Sequence, residues 1–472
     1  MKKRLLLCLM LSGFVLVAMA QVPPIAHIEA NNVRGVILGD GTAFLNWPEN
    51  YGVLQPNPCP TWEVPAGSGK STIFQKALWF GGLDAADSLH LAAMRYGQGH
   101  YLGGGQDYWA GPLKTTDASI DLMTALKYHH VWSLTRAEIE QFKTNFNNPS
   151  CPVPEDILSW PAHGEGDYAY DLAPYIDVNN DGRYNPADGD YPDIKGDQCL
   201  FFIFNDSYKE HGESFGGKLG LEVHVMVYAF EDPFDEALNN TVFTHFEFFN
   251  RSSNDYHDVY LGLWFDWDLG YANDDYVGCD VQRNSCFVYN GMSFDGSGEP
   301  TSYGDNPPAQ VATVLSGPEG KRMTGFLYHN NDNSAIGDPE NAPDYYNLLQ
   351  ARWKDGSHLQ YGGIGYPGME GTVGPDCNYM FPGDSDPDNL GTNGIAPNEG
   401  YNTNGKYWTE ETTGNQPSDR RGLAMVGPFR FPAGGKQELD YAEITVWKGS
   451  AASAKDRIGE FVDHITALFN SF

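Results

Sequence analysis

The chain has few basic residues for its size. Of 472 residues, 29 are Lys or Arg and 62 are Asp or Glu, so the formal net charge is −33. Nucleic-acid phosphates need cationic partners, and this balance therefore argues against a nucleic-acid-binding protein. An acidic surface suits a protein that binds divalent cations, and it also keeps a protein soluble. The charge is compatible with both roles.

Several signatures of catalysis and of metal binding are also missing. The sequence contains no H-E-x-x-H or C-x-x-C motif, so it lacks the usual marks of a zinc protease or a zinc finger. Residues 65–71 imitate a phosphate-binding loop. Val64 stands where that loop requires its first glycine, so we reject a nucleotide site there.

Long apolar runs are absent after residue 20, and the first twenty residues resemble a secretory signal peptide. Lys2, Lys3 and Arg4 form a basic start, Leu5–Val17 is apolar, and Ala18–Ala20 is a small-residue cleavage site. The apolar run is too short to favour a membrane anchor. We expect a mature chain without a transmembrane segment, secreted across the inner membrane. It would be extracellular or on the cell surface, with the periplasm as an alternative.

Cysteine is scarce, but its number fits export. Six cysteines remain after cleavage, and an even number in an oxidising compartment favours disulfides whose pairing the sequence leaves open. The short separation of two of them favours a local disulfide between Cys279 and Cys286. The six are Cys59, Cys151, Cys199, Cys279, Cys286 and Cys377.

Composition predicts a mainly β protein. Glycine (54 residues) and aromatic residues (14%) are abundant, and charged residues make up only 19%. Apolar or alternating runs separated by turns predict an antiparallel β-sandwich with long loops, few helices and a smaller N-terminal β portion. The clearest strands are expected at 200–205, 222–230, 242–250, 259–266, 429–431 and 439–447.

The expected organisation follows the order of these patterns. Residues 21–160 form an N-terminal β-rich portion with one helix, which begins after the capping box of Thr135 and Glu138. Residues 161–198 form a connector that carries a calcium loop. Residues 199–450 form the sandwich, with long loops inserted at 291–420. Residues 451–472 form an amphipathic C-terminal helix.

The connector holds the strongest site signal. From Asp177 to Asp188, oxygen-bearing side chains occupy loop positions 1, 3, 5, 9 and 12, with Gly182 at position 6. Alternating short oxygen ligands suit calcium, and glycine permits the positive φ of the turn. Asp at position 12 is typical of dockerin or thrombospondin type 3 loops, in which the ion serves structure; a metal-free turn is the alternative. The candidate ligands are Asp177, Asn179, Asp181, Arg183 (at position 7, where such loops use the backbone carbonyl), Asn185 and Asp188.

A second acidic group follows a predicted strand. Its carboxylates would repel one another unless a cation or protons intervene, which makes it a candidate second calcium site. A solvated acidic loop and a carboxylate pair for glycoside hydrolysis are the alternatives. The candidate residues are Asp266, Asp268, Asp274, Asp275 and Asp280.

His and Glu residues could also bind a transition metal near the predicted strands. They are His211, Glu213, His224 and His245. Ordinary polar strand and loop residues are the favoured interpretation of this set.

Several strings together resemble one protein family. They are Leu78–Asp84, Asp107–Leu113, Asp177–Pro192, Lys195–Gln198, Leu238–Thr241, Asn250–Ser253, Asp274–Asp280, Met380–Asp384 and Gly427–Phe429. The chain is similar to large secreted proteins of Bacteroidota, many of them described as cargo of the type IX secretion system and without an assigned activity. Members usually continue into a C-terminal β sorting domain. This sequence stops after the helix that ends near Phe469.

The resulting functional hypothesis is an exported, calcium-stabilised structural or adhesive protein that is not an enzyme. Its partners would be calcium ions, with envelope proteins or surface glycans as further candidates. A polysaccharide-acting hydrolase using Asp266, Asp268 or Glu247 is one alternative. A subunit of an envelope or secretion-associated assembly is the other.

Overall fold

The fold is described here from a computed structural model, which covers residues 23–44, 62–96, 105–397 and 407–472. The predicted signal peptide and Cys59 lie outside these ranges. Within them, no helix is both long enough and apolar enough to cross a bilayer.

Extended strands dominate the chain. They are β1 (Ile25–Ile28), β2 (Arg34–Leu38), β3 (Thr42–Ala43), β4 (Trp62–Glu63), β5 (Gln75–Leu83), β6 (Leu89–Ala93), β7 (Trp109–Ala110), β8 (Trp132–Thr135), β9 (Tyr175–Ile176), β10 (Tyr191–Pro192), β11 (Gln198–Asn205), β12 (Leu221–Ala229), β13 (Thr241–Asn250), β14 (Tyr256–Trp267), β15 (Asp275–Asp280), β16 (Ser285–Asn290), β17 (Ala309–Ser316), β18 (Gly325–His329), β19 (Gln360–Gly362), β20 (Thr372–Asp376), β21 (Arg420–Phe431) and β22 (Lys436–Val446). The helices are short: α1 (Leu122–Lys127), α2 (Arg136–Asn145), α3 (Glu155–Leu158), α4 (Ala342–Leu348), α5 (Glu410–Thr413) and α6 (Ile458–Phe469).

Two large antiparallel sheets form a sandwich, as predicted. The first sheet has the order β1-β2-β3-β5-β14-β21-β18, with β4 added to β2 and β6 to β5. The second has the order β15-β16-β17-β22-β13-β12-β11-β7, with β8 added to β11. Strands from residues 25–135 are therefore distributed over both sheets.

The main core lies between the sheets. Aromatic residues of the two sheets meet there, as in the contact of Phe80 with Phe248, whose ring centroids are 5.2 Å apart. Because the inner faces of the two sheets pack face to face, both sheets contribute to one continuous apolar cluster. A second apolar cluster lies on the outer face of the second sheet, beneath α2 and α6.

Both helices predicted from local patterns are present. Thr135 caps α2 by accepting a hydrogen bond from Glu138 N, and the Glu138 side chain returns a bond to the Thr135 backbone. The C-terminal helix α6 buries Ile458, Phe461 and Ile465 against the second sheet. It begins at Ile458, because Lys455–Arg457 forms a 3-10 turn.

The segment 291–420, predicted as long loops, contains two strands of the sandwich. β17 joins β16 to β22 within the second sheet, and β18 forms one end of the first sheet. Six of the eight β17 residues are buried, so both faces of the strand are covered and its sequence shows no alternation. Because both faces are covered, β17 lacks the alternation of apolar and polar residues by which a strand is predicted from sequence.

The predicted disulfide between Cys279 and Cys286 is absent. The five described cysteines are free thiols. Cys279 and Cys286 are direct cross-strand partners in β15 and β16, but the Cys279 thiol donates a hydrogen bond to the Met380 carbonyl at 3.2 Å. The hairpin ladder aligns the two strands by backbone hydrogen bonds, without a covalent link.

Candidate metal centre

Strand pairing gathers three carboxylates where β14 ends and β21 begins. Asp266 pairs with Arg421 on one side and with Gln75 of β5 on the other. Asp268 follows β14, and Asp419 immediately precedes β21. Because the two strands run antiparallel, the end of one meets the start of the other, and residues about 150 positions apart become neighbours.

We call Asp266, Asp268 and Asp419 the carboxylate centre. One oxygen from each can be chosen so that all three lie within 4.8 Å of one another. Asp266 is buried, and the other two are half-buried. Asp419 was missed in the sequence, because only the register of β14 against β21 places it beside the other two.

Arg421 is the cation of this centre. Its Nη1 donates to Asp419 Oδ2 at 2.9 Å, and its Nη2 donates to Asp266 Oδ2 at 3.4 Å. Tyr96 donates its hydroxyl to the same Asp266 oxygen at 2.7 Å and accepts a bond from Arg421 Nε at 2.8 Å. The Oδ2 atoms of Asp266 and Asp419 thus each accept at least one hydrogen bond.

The second oxygen of each of these aspartates has no donor. Asp266 Oδ1 and Asp419 Oδ1 are both buried without a hydrogen-bond partner among the residues described. A buried acceptor without a partner costs about 1–3 kcal/mol, and more when the group is charged. Oxygen atoms left in this state are what a bound cation would satisfy.

The charge balance of the carboxylate centre also favours a bound cation. Three ionised carboxylates against one arginine leave an excess of two negative charges. Burial and the neighbouring charge of Asp268 raise the pKa of Asp266 well above its usual range. Burial and the charge of Asp419 raise the pKa of Asp268 to about 7. Without a cation, the centre can relieve this excess only by taking up protons.

The other three predicted members of the second acidic group lie outside the carboxylate centre. Asp275 accepts from Leu269 N at 3.1 Å, and Asp274 accepts from Gly296 N at 2.9 Å. Asp280 pairs with Arg283 at 2.9 Å. Asp274 and Asp275 thus hold backbone turns, and Asp280 holds a charge pair, so Asp266 and Asp268 are the two predicted residues that belong to the carboxylate centre.

The predicted calcium loop closes a small hairpin between β9 and β10, in which Ile176 pairs with Tyr191. Asp177 Oδ2 accepts from Gly182 N at 2.7 Å, and Asn179 Oδ1 accepts from Asp181 N at 2.9 Å. Gly182 has φ +74°, as the loop pattern requires.

The second half of this loop is held by a bond within the predicted ligand set and by Asp190, which lies outside that set. Asn185 donates to Asp188 Oδ2 at 2.6 Å. Fully buried Asp190 accepts from Val178 N and from Asn185 N, both at 2.9 Å, and so ties the two ends of the loop together. Arg183 N donates to Asp181 Oδ1 at 2.9 Å. The loop therefore has a defined shape, which its own side chains and Asp190 set.

The predicted His and Glu set is divided between two places. The ring nitrogens of His211 lie 2.8 Å from Leu91 O and 2.7 Å from Asp206 O, so neither is free to bind a metal. Glu213 accepts from Arg95 N at 2.8 Å. His224 and His245 lie elsewhere, on neighbouring strands of the second sheet.

Comparison with known proteins adds no family to this description. No protein-family model matches the chain, and no curated protein matches it.

Proposed function

We propose that this protein is an exported, calcium-stabilised structural or adhesive protein of the cell envelope or extracellular space, and not an enzyme. The observation that carries the proposal is the carboxylate centre, in which two buried carboxylate oxygens have no donor and one arginine faces three acidic groups. Oxygen ligands alone, with an excess of two negative charges, are the donor set that calcium prefers.

The position of the centre explains how calcium would act on stability. Asp266 belongs to a central strand of the first sheet, and Asp419 belongs to the segment that enters β21. A cation shared by the two would hold the end of β14 to the start of β21. Because binding requires the folded arrangement, its free energy would add to that of folding.

The loop from Asp177 to Asp188 is the second calcium site of this proposal. Asp177, Asn179 and Asp181 are held in a fixed turn with Gly182 at positive φ. A preformed turn loses less conformational entropy when it binds an ion. Calcium there would fix the connector against the outer face of the sandwich.

Thermal unfolding with and without calcium tests the proposal. Calcium at one hundred times its dissociation constant adds about 2.7 kcal/mol, which for a chain of this size is a rise in Tm of about 3 °C over the EDTA-treated protein. Magnesium should give a smaller rise, because it demands a tighter octahedral geometry. An unchanged Tm after chelation and after calcium addition would refute the calcium proposal.

Variants separate the two sites. Asp419→Asn should remove most of the calcium-dependent rise, and Asp181→Asn should remove the part that belongs to the loop. Asp167→Asn is the matched control, because Asp167 is exposed and belongs to neither site. If Asp419→Asn and Asp167→Asn respond to calcium in the same way as the parent chain, the carboxylate centre does not bind it.

A further inference from the structure

Three neighbouring strands bring a second polar group to the outer face of the second sheet. His224 of β12 is the direct cross-strand partner of Glu247 in β13, and Glu247 is the partner of Glu438 in β22. His245 lies two residues before Glu247 on the same strand, and side chains two apart share a face of a sheet. These four side chains therefore stand together on one surface.

A carboxylate orients each of the two imidazoles. His224 Nε2 lies 2.8 Å from Glu222 Oε1, and His245 Nδ1 lies 2.8 Å from Asp440 Oδ1. When Nε2 of the neutral His224 ring donates to Glu222, the lone pair of the ring is on Nδ1.

That lone pair has no partner. His224 Nδ1 is buried without a hydrogen bond among the described atoms, and the His224 side chain is 1% exposed. It lies 3.7 Å from Glu247 Oε2. In that tautomer two acceptors face each other with no donor between them, and an electron-pair acceptor such as a metal ion resolves this situation.

The distances suit a metal ion. Ligands about 2.1 Å from a tetrahedral ion are about 3.4 Å from one another, close to the separation of His224 Nδ1 and Glu247 Oε2. One atom each from His245, Glu247 and Glu438 can be chosen within 4.8 Å of one another. His224, His245 and Glu247 also line an open groove of about 590 Å³, which leaves access to the group from solvent.

We propose that His245, Glu247 and Glu438 bind a transition-metal ion of the zinc class, with Nδ1 of His224 as a fourth ligand. Imidazole nitrogen favours such ions over calcium, and two histidines with a carboxylate are a recurrent ligand set for them. Glu222 and Asp440 play the part of the outer carboxylates that fix the orientation of metal-bound histidines. This site is separate from the carboxylate centre and does not depend on it.

Lys436 competes for the same carboxylates. Its ammonium group bonds to Glu247 and lies 2.7 Å from Glu438 Oε1. The Lys436 side chain is 41% exposed, so it can leave for solvent when an ion binds. The proposal therefore requires metal affinity to rise when this lysine is removed.

Cobalt(II) is the probe, because its visible absorption bands report the coordination of bound ions. Titration of the full mature chain without a polyhistidine tag, in excess calcium, should produce bands that zinc abolishes by displacement. Excess calcium fills the two calcium sites proposed above. The outcome of the cobalt titration is therefore independent of the outcome of the calcium melts. Absence of bands, or bands that zinc leaves unchanged, would overturn the proposal.

Variants assign the bands to this group. His245→Ala and Glu247→Gln should each weaken cobalt binding by about tenfold or more, and Lys436→Ala should strengthen it. His464→Ala is the matched control, since His464 also pairs with a carboxylate, Asp235, but lies on α6. Circular dichroism of each variant checks folding. Equal affinities in His245→Ala and His464→Ala, or no gain in Lys436→Ala, would contradict the assignment.

Discussion

Lys76 and Glu443 form a buried ion pair that joins the two sheets of the sandwich. Lys76 lies on β5 of the first sheet and Glu443 on β22 of the second, with Nζ 2.6 Å from Oε1. Their side chains are 8% and 1% exposed. Burial lowers the pKa of Lys76, and Glu443 opposes that shift. The pair is thus a charged contact within a largely apolar interface.

Removal of one partner of this pair should be costly. Lys76→Met leaves a buried carboxylate without its cation, and we expect the free energy of unfolding to fall by about 3–5 kcal/mol. The double variant Lys76→Met/Glu443→Leu should recover most of that loss, because both desolvated charges are gone. Urea denaturation measures the free energy of unfolding of the parent chain, the single variant and the double variant.

The exposed pair of Lys127 and Glu165 is the control for this cycle. Its atoms are 2.9 Å apart, but the side chains are 57% and 85% exposed. Lys127→Ala should change the stability by less than about 1 kcal/mol. A double variant at Lys76 and Glu443 no more stable than Lys76→Met would contradict the desolvation argument.

Stability without calcium should depend on pH through Asp268. Its pKa is about 7 in the folded chain against an ordinary value of 3.8, so the folded state binds the proton more tightly than the unfolded state. This contribution to stability is full below pH about 4 and is lost as the pH rises through about 7. In EDTA, the Tm should therefore rise when the pH is lowered from 8 to 6.

Calcium should reverse this trend at the carboxylate centre, because protons then compete with the ion for the same oxygens. Thermal melts at each pH, with calcium and with EDTA, compare the two slopes. Asp268→Asn should flatten the slope in EDTA, whereas Asp167→Asn should leave it unchanged. A parent chain whose Tm in EDTA falls steadily from pH 8 to pH 6 would contradict the assignment to Asp268.

The four buried cysteines among the described residues should behave as free, unreactive thiols. Burial raises the pKa of Cys199 to about 12, and it raises the pKa values of Cys279 and Cys377 well above their usual range. Thiolate is the reactive form, so these residues should resist iodoacetamide in the native protein.

Unfolding in guanidinium without a reducing agent should expose all of these thiols. Mass spectrometry should then find Cys279 and Cys286 each carrying an alkyl group. Cys151, which is half-buried, is the internal control that reacts before unfolding. A peptide pair linked through Cys279 and Cys286 would show that the disulfide forms after all.

The capping box of α2 gives a local test of stability. Thr135→Ala removes the side-chain acceptor for Glu138 N, which typically costs about 1 kcal/mol. Thr144→Ala is the control, since Thr144 is inside the same helix and donates to Glu140 O. Urea denaturation should show a clear loss for the first variant and a much smaller change for the second. Equal losses would show that the cap contributes nothing specific.

Several of these features were predictable because they depend on residues close in sequence. The capping box needs Thr135 and Glu138 only, and both helices at 136 and 458 follow from spacing within a few turns. The turn at Gly182 likewise depends on side chains within the loop itself. The strongly apolar strands β11 to β14 fall within a few residues of their predicted positions.

The candidate sites depend on contacts that a local pattern does not contain. Asp419 joins Asp266 across 153 positions only because β21 pairs with β14 in one register. A shift of one residue would turn Asp266 to the other face. The same holds for His224 and Glu247, which are ordinary members of two apolar strands until β12 and β13 are aligned.

The sequence by itself therefore determined the β-rich class, the local caps and turns, and the acidic balance, since each follows from composition or from neighbours along the chain. Only the tertiary structure decided which carboxylates share a centre, which cysteines stay apart and which histidines face one another. Antiparallel pairing is the physical reason, because it makes neighbours of residues far apart in sequence and sets the face on which each side chain lies.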